Sequence, residues 1–311
     1  MRPDKKPSNL IEEPWAKGRG GNSTGAPVAE AVRSFYEEYP FPGFNLRKYS
    51  FRRDLYLAAS WYARMIDRSL PSGVRVVDLG CGTGQLALLL GLKNRKVLGV
   101  DFSRRSVEKA RALKEKLRVE NTEFLEGDLL SLPIADESFD YALCNGVLHH
   151  MADPFAGFRS LCRILRPGGY LVLGLYNRYG RAIHHLRQIW VQCRGSPQSG
   201  HAAEDFYRRQ FIYREHDEEK KESWFADQFL HPHESHHTVS EVLGWFRSQG
   251  VHYVSSLPPI EPFARLPSHL FRRSPMSRLR SNPLAHLLVQ WTWIFTQHHA
   301  GGYFVMIGQK A

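Results

Sequence analysis

The first residues that can do chemistry are acids set beside glycines. The run Val76-Val77-Asp78-Leu79-Gly80-Cys81-Gly82-Thr83-Gly84 passes from β-branched residues into a glycine-rich turn. Glycines at 80, 82 and 84 let main-chain amides come close to a ligand where a Cβ would intrude. Asp78 can meet an ammonium group through a charge-assisted bond. A dinucleotide fingerprint is G-x-G-x-x-G; the spacing here is G-x-G-x-G, with an acid two residues before the first glycine. An ordinary tight strand-to-helix turn is the plainer reading of the same run. Val100-Asp101-Phe102-Ser103 supplies a second acid, able to accept from both hydroxyls of a ribose; alone, Asp before Ser also reads as a helix cap. Glu126-Gly127-Asp128-Leu129 supplies a third, where Asp128 can accept from an exocyclic amine and Leu129 can pack on a flat ring; a surface turn is the alternative.

A second group of residues lies further along. Asn145-Gly146-Val147-Leu148-His149-His150 places two histidines after a short apolar run. Histidine accepts a proton near neutral pH, so His149 or His150 is the candidate general base; in the bland reading one packs and the other is solvated. Phe35-Tyr36-Glu37-Glu38-Tyr39-Pro40-Phe41 is an aromatic stretch in which Tyr36 and Tyr39 can stack on or hydrogen-bond to a substrate. Tyr176, His233 and His237 are further candidates for substrate contact. His231, His233, His236 and His237 cluster, but Pro232 and the helix start at Thr238 put them in a loop, and only Glu234 joins them as an acid; no metal site is expected.

The elements that must position these residues alternate. Strands are expected at Val74–Leu79, Lys96–Val100, Glu123–Leu125, Phe139–Cys144 and Tyr170–Leu175, with helices at Gln85–Leu92, Arg105–Leu117 and Pro154–Leu165 between them. Such alternation means βαβ units and a parallel sheet. Before it, helices are expected at Pro27–Tyr39 and Phe51–Ser69. After Tyr176 the pattern is lost: residues 177–237 are charged, aromatic and His-rich without a clear period. A capping box, Thr238 with Glu241, then opens another helix, followed by a strand at Val251–Ser255, an apolar helix at Leu284–Thr296 and a strand at Tyr303–Ile307.

Composition narrows the partners. The 311 residues carry a formal charge of +11, which suits an anionic partner without choosing among nucleic acid, membrane surface and anionic substrate. Cys81, Cys144, Cys162 and Cys193 form no C-x-x-C pair, so reduced thiols in a cytoplasm are the simple reading. No apolar run reaches the 18 residues a membrane span needs. Arg265, Arg272, Arg273, Arg278 and Arg280 precede the apolar helix, a pattern of peripheral membrane contact or of a buried helix with a solvated Arg face.

The three acidic motifs, with Phe139-Asp140-Tyr141-Ala142-Leu143-Cys144 and Leu165-Arg166-Pro167-Gly168-Gly169-Tyr170-Leu171, resemble the class I S-adenosylmethionine (SAM) dependent methyltransferases, in the methyltransferase-11/UbiE-like branch. The resemblance implies an α/β, Rossmann-like seven-stranded sheet of order 3-2-1-4-5-7-6, last strand antiparallel. It implies SAM as cofactor, with Asp78, Gly80, Gly82, Asp101, Asp128 and Asn145 lining its pocket; Cys81, Gly84, Phe102 and Leu129 lie in the same motifs and are carried with them. The expected organisation is a flexible tail over 1–26, a helical lid over 27–70 and a methyltransferase domain over 71–311, with substrate-side insertions at 177–237 and 257–300. The expected acceptor is a small or lipid-like metabolite, methylated on O, C or N. The alternative is a tRNA or other RNA methyltransferase, motivated by charge; missing base-methylation motifs speak against it. A SAM-binding partner subunit without catalysis is a third class, opposed by the intact glycines and acids.

Overall fold

The computed structural model describes residues 26–194, 217–262, 264–272, 282–297 and 301–311. Seven strands form one sheet: β1 (Arg75–Leu79), β2 (Lys96–Asp101), β3 (Thr122–Glu126), β4 (Phe139–Asn145), β5 (Leu165–Tyr176), β6 (Val251–Leu257) and β7 (Tyr303–Lys310). Their order is β3-β2-β1-β4-β5-β7-β6, and β7 runs antiparallel to both β5 and β6. This is the Rossmann-like arrangement the sequence resemblance implies.

Strand β1 shows why the sheet is central. Val77 and Leu79 enter one hydrophobic cluster, with Phe139, Phe158 and Phe246. Val76 enters another on the opposite face, with Leu88, Leu113 and Ile307. A strand buried on both faces carries a continuous apolar run rather than an alternating one. The helices α4 (Gln85–Gly91), α5 (Arg104–Leu117) and α6 (Pro154–Ile164) connect the parallel strands. From β1 the chain crosses to β2 on one side, and β4 lies on the other. Open α/β sheets bind ligands at such a switch point, beyond the carboxyl ends of the strands.

The N-terminal segment adds α1 (Ala26–Glu38), α2 (Arg52–Ala58) and α3 (Trp61–Ser69). The single helix expected over Phe51–Ser69 is therefore two. Ala59 leaves the helical region at ψ 137°, and the Ser60 hydroxyl accepts from Ala63 N–H to start α3 afresh. Helices α2 and α3 pack on α4, while α1 packs on α5. The expected tail lies outside the described residues, apart from Ala26.

The segment without a readable period contains helices α7 (Ala182–Arg194) and α8 (Glu218–Phe229), followed by α9 (Val239–Ser248) and, later, α10 (Pro283–Thr296). Helix α8 hides from periodicity because its buried positions include polar ones: Ser223, Asp227 and Gln228 beside Phe225, Ala226 and Phe229. Its start was nonetheless encoded. Asp217 caps it through Lys220 N–H, and Glu218 and Glu219 fill the first turn, where acids suit the helix dipole. Arg273, Arg278 and Arg280 lie outside the described residues. No helix among the described residues is long and apolar enough to cross a membrane.

Candidate active site

Two carboxylates meet where β1 and β2 end. Asp78 is buried and makes no ion pair among the described residues. Burial, reinforced by the negative charge of Asp101, pushes its carboxyl up to about 7. Burial also pushes Asp101 up to about 6, against hydrogen bonds from Ser103 N–H (2.9 Å) and Gly82 N–H (2.8 Å). Between them the turn bends sharply: φ is +68° at Gly80 and +53° at Gly82. A Cβ at Gly82 would stand 1.9 Å from Phe41 O, so only glycine lets the N-terminal segment lie over the turn. That segment is tied down by Thr83, whose N–H donates to Phe41 O and whose hydroxyl donates to Pro42 O (3.1 and 2.7 Å).

Asn145 closes the third side, at the end of β4. Its Oδ1 accepts from Tyr62 (2.6 Å) and from Tyr303 (3.5 Å), and its Nδ2 is a buried donor with no partner among the described residues. Phe102 lies beside the second acid, 6.3 Å from the Tyr36 ring. Asp128 is half-buried, with one oxygen accepting from Leu130 N–H. Three expected cofactor contacts are placed otherwise. The Cys81 side chain packs into the core beneath the turn, where burial pushes its thiol well up. The bare α-carbon of Gly84 faces Phe124 and Ala110, where a Cβ would come within 2.6 and 2.7 Å; its freedom serves helix–strand packing. Leu129 belongs to the core cluster instead of facing the turn.

The acceptor side is built around the 3-10 turn Leu148–His150. His149 is fully buried, neither ring nitrogen has a hydrogen-bond partner among the described residues, and its ring lies 4.0 Å from that of Tyr176. His150 is also buried, but its Nδ1 bonds His233 O at 2.9 Å. A carbonyl only accepts, so Nδ1 carries the hydrogen and Nε2 keeps the lone pair. Burial lowers the His150 pKa to about 4, so that lone pair stays available at neutral pH. Nε2 stands 4.0 Å from Asp227 Oδ1. Asp227, on α8, accepts from Tyr36 OH (2.9 Å) and from Gln228 Nε2 (2.8 Å), and burial raises its pKa. The His231 ring stacks on His150 with centroids 3.6 Å apart.

Behind this group sits a rigid polar brace. Arg181 is fully buried, stacks 3.7 Å from the Tyr176 ring, and donates to both oxygens of Glu234, to Gln228 Oε1 and to Gly301 O. Gln228 donates in turn to Tyr176 OH at 2.6 Å. Of the expected substrate contacts, Tyr36 and Tyr176 stand in this group. Tyr39 packs 5.4 Å from Phe35 at the end of α1. His233 contributes main chain: its O accepts from His150 and its N–H donates to His231 Nδ1. His237 corrects its expected role, because Glu241 and Ser235 take both ring nitrogens and its ring packs on Trp245; it anchors the start of α9. Asp227, Gln228, Arg181, Tyr62 and Tyr303 were not singled out from sequence.

The fold and the acid-lined turn are those of an open α/β domain with a candidate ligand site at its switch point, and comparison with known proteins gives the family. A family model described as a methyltransferase domain matches residues 70–226, half of the chain. The chain belongs to this family, and its fold is that of the class I SAM-dependent methyltransferases. It is 28% identical over 256 residues to an uncharacterized protein of Synechococcus, covering 73% of this chain and 60% of that protein. It is 38% identical over 107 residues to the 27-O-demethylrifamycin SV methyltransferase of Amycolatopsis mediterranei, covering 34% of this chain and 39% of that enzyme. The chain thus spans about two fifths to three fifths of these relatives' length. The solved structure of PKMT2 from Rickettsia typhi shares the fold, with a TM-score of 0.55 at 18% identity, over 79% of this chain and 51% of that one.

SAM is the cofactor of this class, and the residues present fit it. Two buried carboxylates with no cation among the described residues and an orphaned amide at Asn145 suit a ligand that brings an ammonium and ribose hydroxyls but no phosphate.

Proposed function

We propose that the chain transfers the methyl group of SAM to a small or lipid-like acceptor held between the switch point and α8. SAM supplies an electrophilic methyl on sulfur. The chain's own task is to hold the acceptor in line, exclude water and take up a proton where one is released. Asp78 and Asp101 are proposed to hold the cofactor's ammonium and ribose, with Asn145 beside them. His150 is proposed as the group that accepts the proton at Nε2. His149, sealed against Tyr176, is assigned to packing. The observation that carries the reading is the pair of buried carboxylates, with no cation beside them among the described residues, flanking a turn with left-handed glycines.

The test is calorimetry with SAM, followed by labelling of a small-molecule extract with methyl-tritiated SAM. Micromolar SAM binding and label in the small-molecule fraction are expected. His150→Phe should cut turnover by about a hundredfold or more, the scale of general-base loss, and leave SAM affinity intact; His149→Phe should not share that selective effect. Label appearing only in RNA, with affinity falling steeply as salt rises, would transfer the reading to the RNA alternative that the +11 charge motivates.

A further inference from the structure

The acceptor side is a place where hydrogen-bonding groups point at one another without matching. His150 Nε2 is a lone pair, and Asp227 Oδ1, 4.0 Å away, is also an acceptor. Two acceptors at that distance share no proton between them; Asp227 Oδ1 already accepts from Tyr36 OH, so the acceptor left without a donor is His150 Nε2, with Asp227 holding a further lone pair beside it. His231 is the complement. Its Nδ1 accepts from His233 N–H at 3.2 Å, so in the neutral ring Nε2 carries the hydrogen, and that buried donor has no partner among the described residues. The stacked rings keep these groups close. With centroids 3.6 Å apart, the two Nε2 atoms are separated by no more than a single oxygen bridges with two ordinary hydrogen bonds, roughly 6 Å. The surroundings are flat: Phe35 lies 4.8 Å and Tyr36 5.4 Å from the His231 ring, and Tyr176 lies 6.1 Å from His150.

We infer that the acceptor is a planar ring bearing a hydroxyl, whose hydrogen enters the gap between His150 Nε2 and Asp227 while its oxygen accepts from His231 Nε2. This rests on the proposed methyl transfer and goes beyond it by naming the acceptor's chemical class and two specificity-determining residues, Asp227 and His231. A hydroxyl is the simplest group that donates and accepts at one atom. A ring amine brings hydrogens but no comparable lone pair for His231, and an ether brings no hydrogen for His150. When the oxygen attacks the donor methyl, the O–H bond breaks with its electron pair left on oxygen, and the proton passes to His150 Nε2. Tyr36 and Gln228 hold Asp227 in place through their bonds to its two oxygens. A purely structural knot, pinning α1 to α8, would show no preference among such ligands.

The experiment uses the full chain saturated with S-adenosylhomocysteine. Calorimetric affinities are compared for phenol and 2-naphthol, for their methyl ethers, and for aniline. Each hydroxyl compound should bind about tenfold or more tighter than its ether, and phenol should outbind aniline similarly, since each unmatched buried group costs on that scale. His150→Phe and His231→Phe keep the stacked rings and should reduce the hydroxyl-to-ether ratio to about threefold or less, with S-adenosylhomocysteine affinity unchanged. Equal affinity of hydroxyl and ether for the native, cofactor-loaded protein would overturn the inference, as would a ratio that survives in both variants. Failure of the native protein to bind S-adenosylhomocysteine would instead count against the methyltransferase reading itself.

Discussion

The cofactor side and the acceptor side treat buried charge in opposite ways. At the ends of β1 and β2, Asp78 and Asp101 are buried with no cation beside them among the described residues, and their pKa values are pushed up to about 7 and 6. Behind the acceptor side, Arg181 is equally buried but has every direction filled by Glu234, Gln228, Gly301 and the Tyr176 ring. A closed polar network is scaffold. An open one marks where a ligand brings the missing partner. An unpaired buried charge is costly, and the proposed cofactor site gives Asp78 the partner that would offset that cost.

The largest effect that tests this contrast is on stability. Arg181→Met should destabilise the protein by about 3–5 kcal/mol in denaturant titration, because it removes both Arg181 bonds from the buried Glu234 carboxylate, which keeps only the bond to His236, and leaves Gln228 Oε1 and Gly301 O short of a donor. SAM affinity of the folded fraction should hardly change. If Arg181→Met is neutral, the brace is not scaffold and the contrast fails.

Asp78→Asn should act with the opposite sign. It removes a charge that has no partner in the free protein, so thermal stability at pH 8 should stay level or rise. SAM affinity should fall by about 1.5–3 kcal/mol, the range for a hydrogen bond to a charged group. Asp101→Asn should weaken SAM similarly but also cost stability, because Asp101 accepts from Gly82 and Ser103 N–H groups. A loss of stability in Asp78→Asn matching that of Asp101→Asn would remove the distinction between them.

The pH dependence sharpens the same point more gently. Both carboxyls titrate above the usual carboxylate range in the free protein, so the folded chain holds their protons more tightly than the unfolded one does. Their contribution favours the folded state at low pH and is lost as pH rises through about 6 to 7. SAM, which needs them ionised, should bind more tightly over that window and level off above it. From pH 7 to 6 the affinity should fall by roughly tenfold, and below pH 6, where both carboxyls must lose a proton, by up to about a hundredfold per pH unit. Calorimetry in buffers of different ionisation enthalpy should show protons released on binding at pH 6 and none at pH 8.5.

The same division governs what the sequence reveals. The cofactor side is built within residues 78–145, from strand ends and the turns that follow them. A β-branched run, a glycine and an acid are enough to read it. Even there, side-chain direction is lost: Cys81 and Leu129 share the motifs yet turn into the core. The acceptor side is assembled over long separations. Tyr36 meets Asp227 across 191 positions, Gly43 meets Ser223 across 180, and His150 meets His233 across 83. No local pattern records such contacts. Helix α8 compounds the loss by burying polar residues, which erases the apolar stripe that would have announced it. His149 and His150 were both legible as candidates, but choosing between them takes the partner of each ring nitrogen.

The smallest predicted effect concerns how α8 is held over the site. Two kinds of link hold it. Lys109–Glu219 joins it to α5 as a largely exposed ion pair at 3.2 Å, and Tyr36–Asp227 joins it to α1 as a part-buried hydrogen bond at 2.9 Å. Exposed pairs are screened by salt and offset by side-chain entropy, so Lys109→Ala should change stability by less than about 0.5 kcal/mol. Tyr36→Phe leaves the Asp227 oxygen short of a donor and should cost about 1 kcal/mol or slightly more. The two variants, compared by denaturant titration at low and high salt, decide which link matters. A Lys109→Ala loss that exceeds the Tyr36→Phe loss and vanishes in high salt would mean that surface charge, rather than buried bonding, seats α8 over the site. The open charges at Asp78 and Asp101 would then no longer be the exception in this molecule.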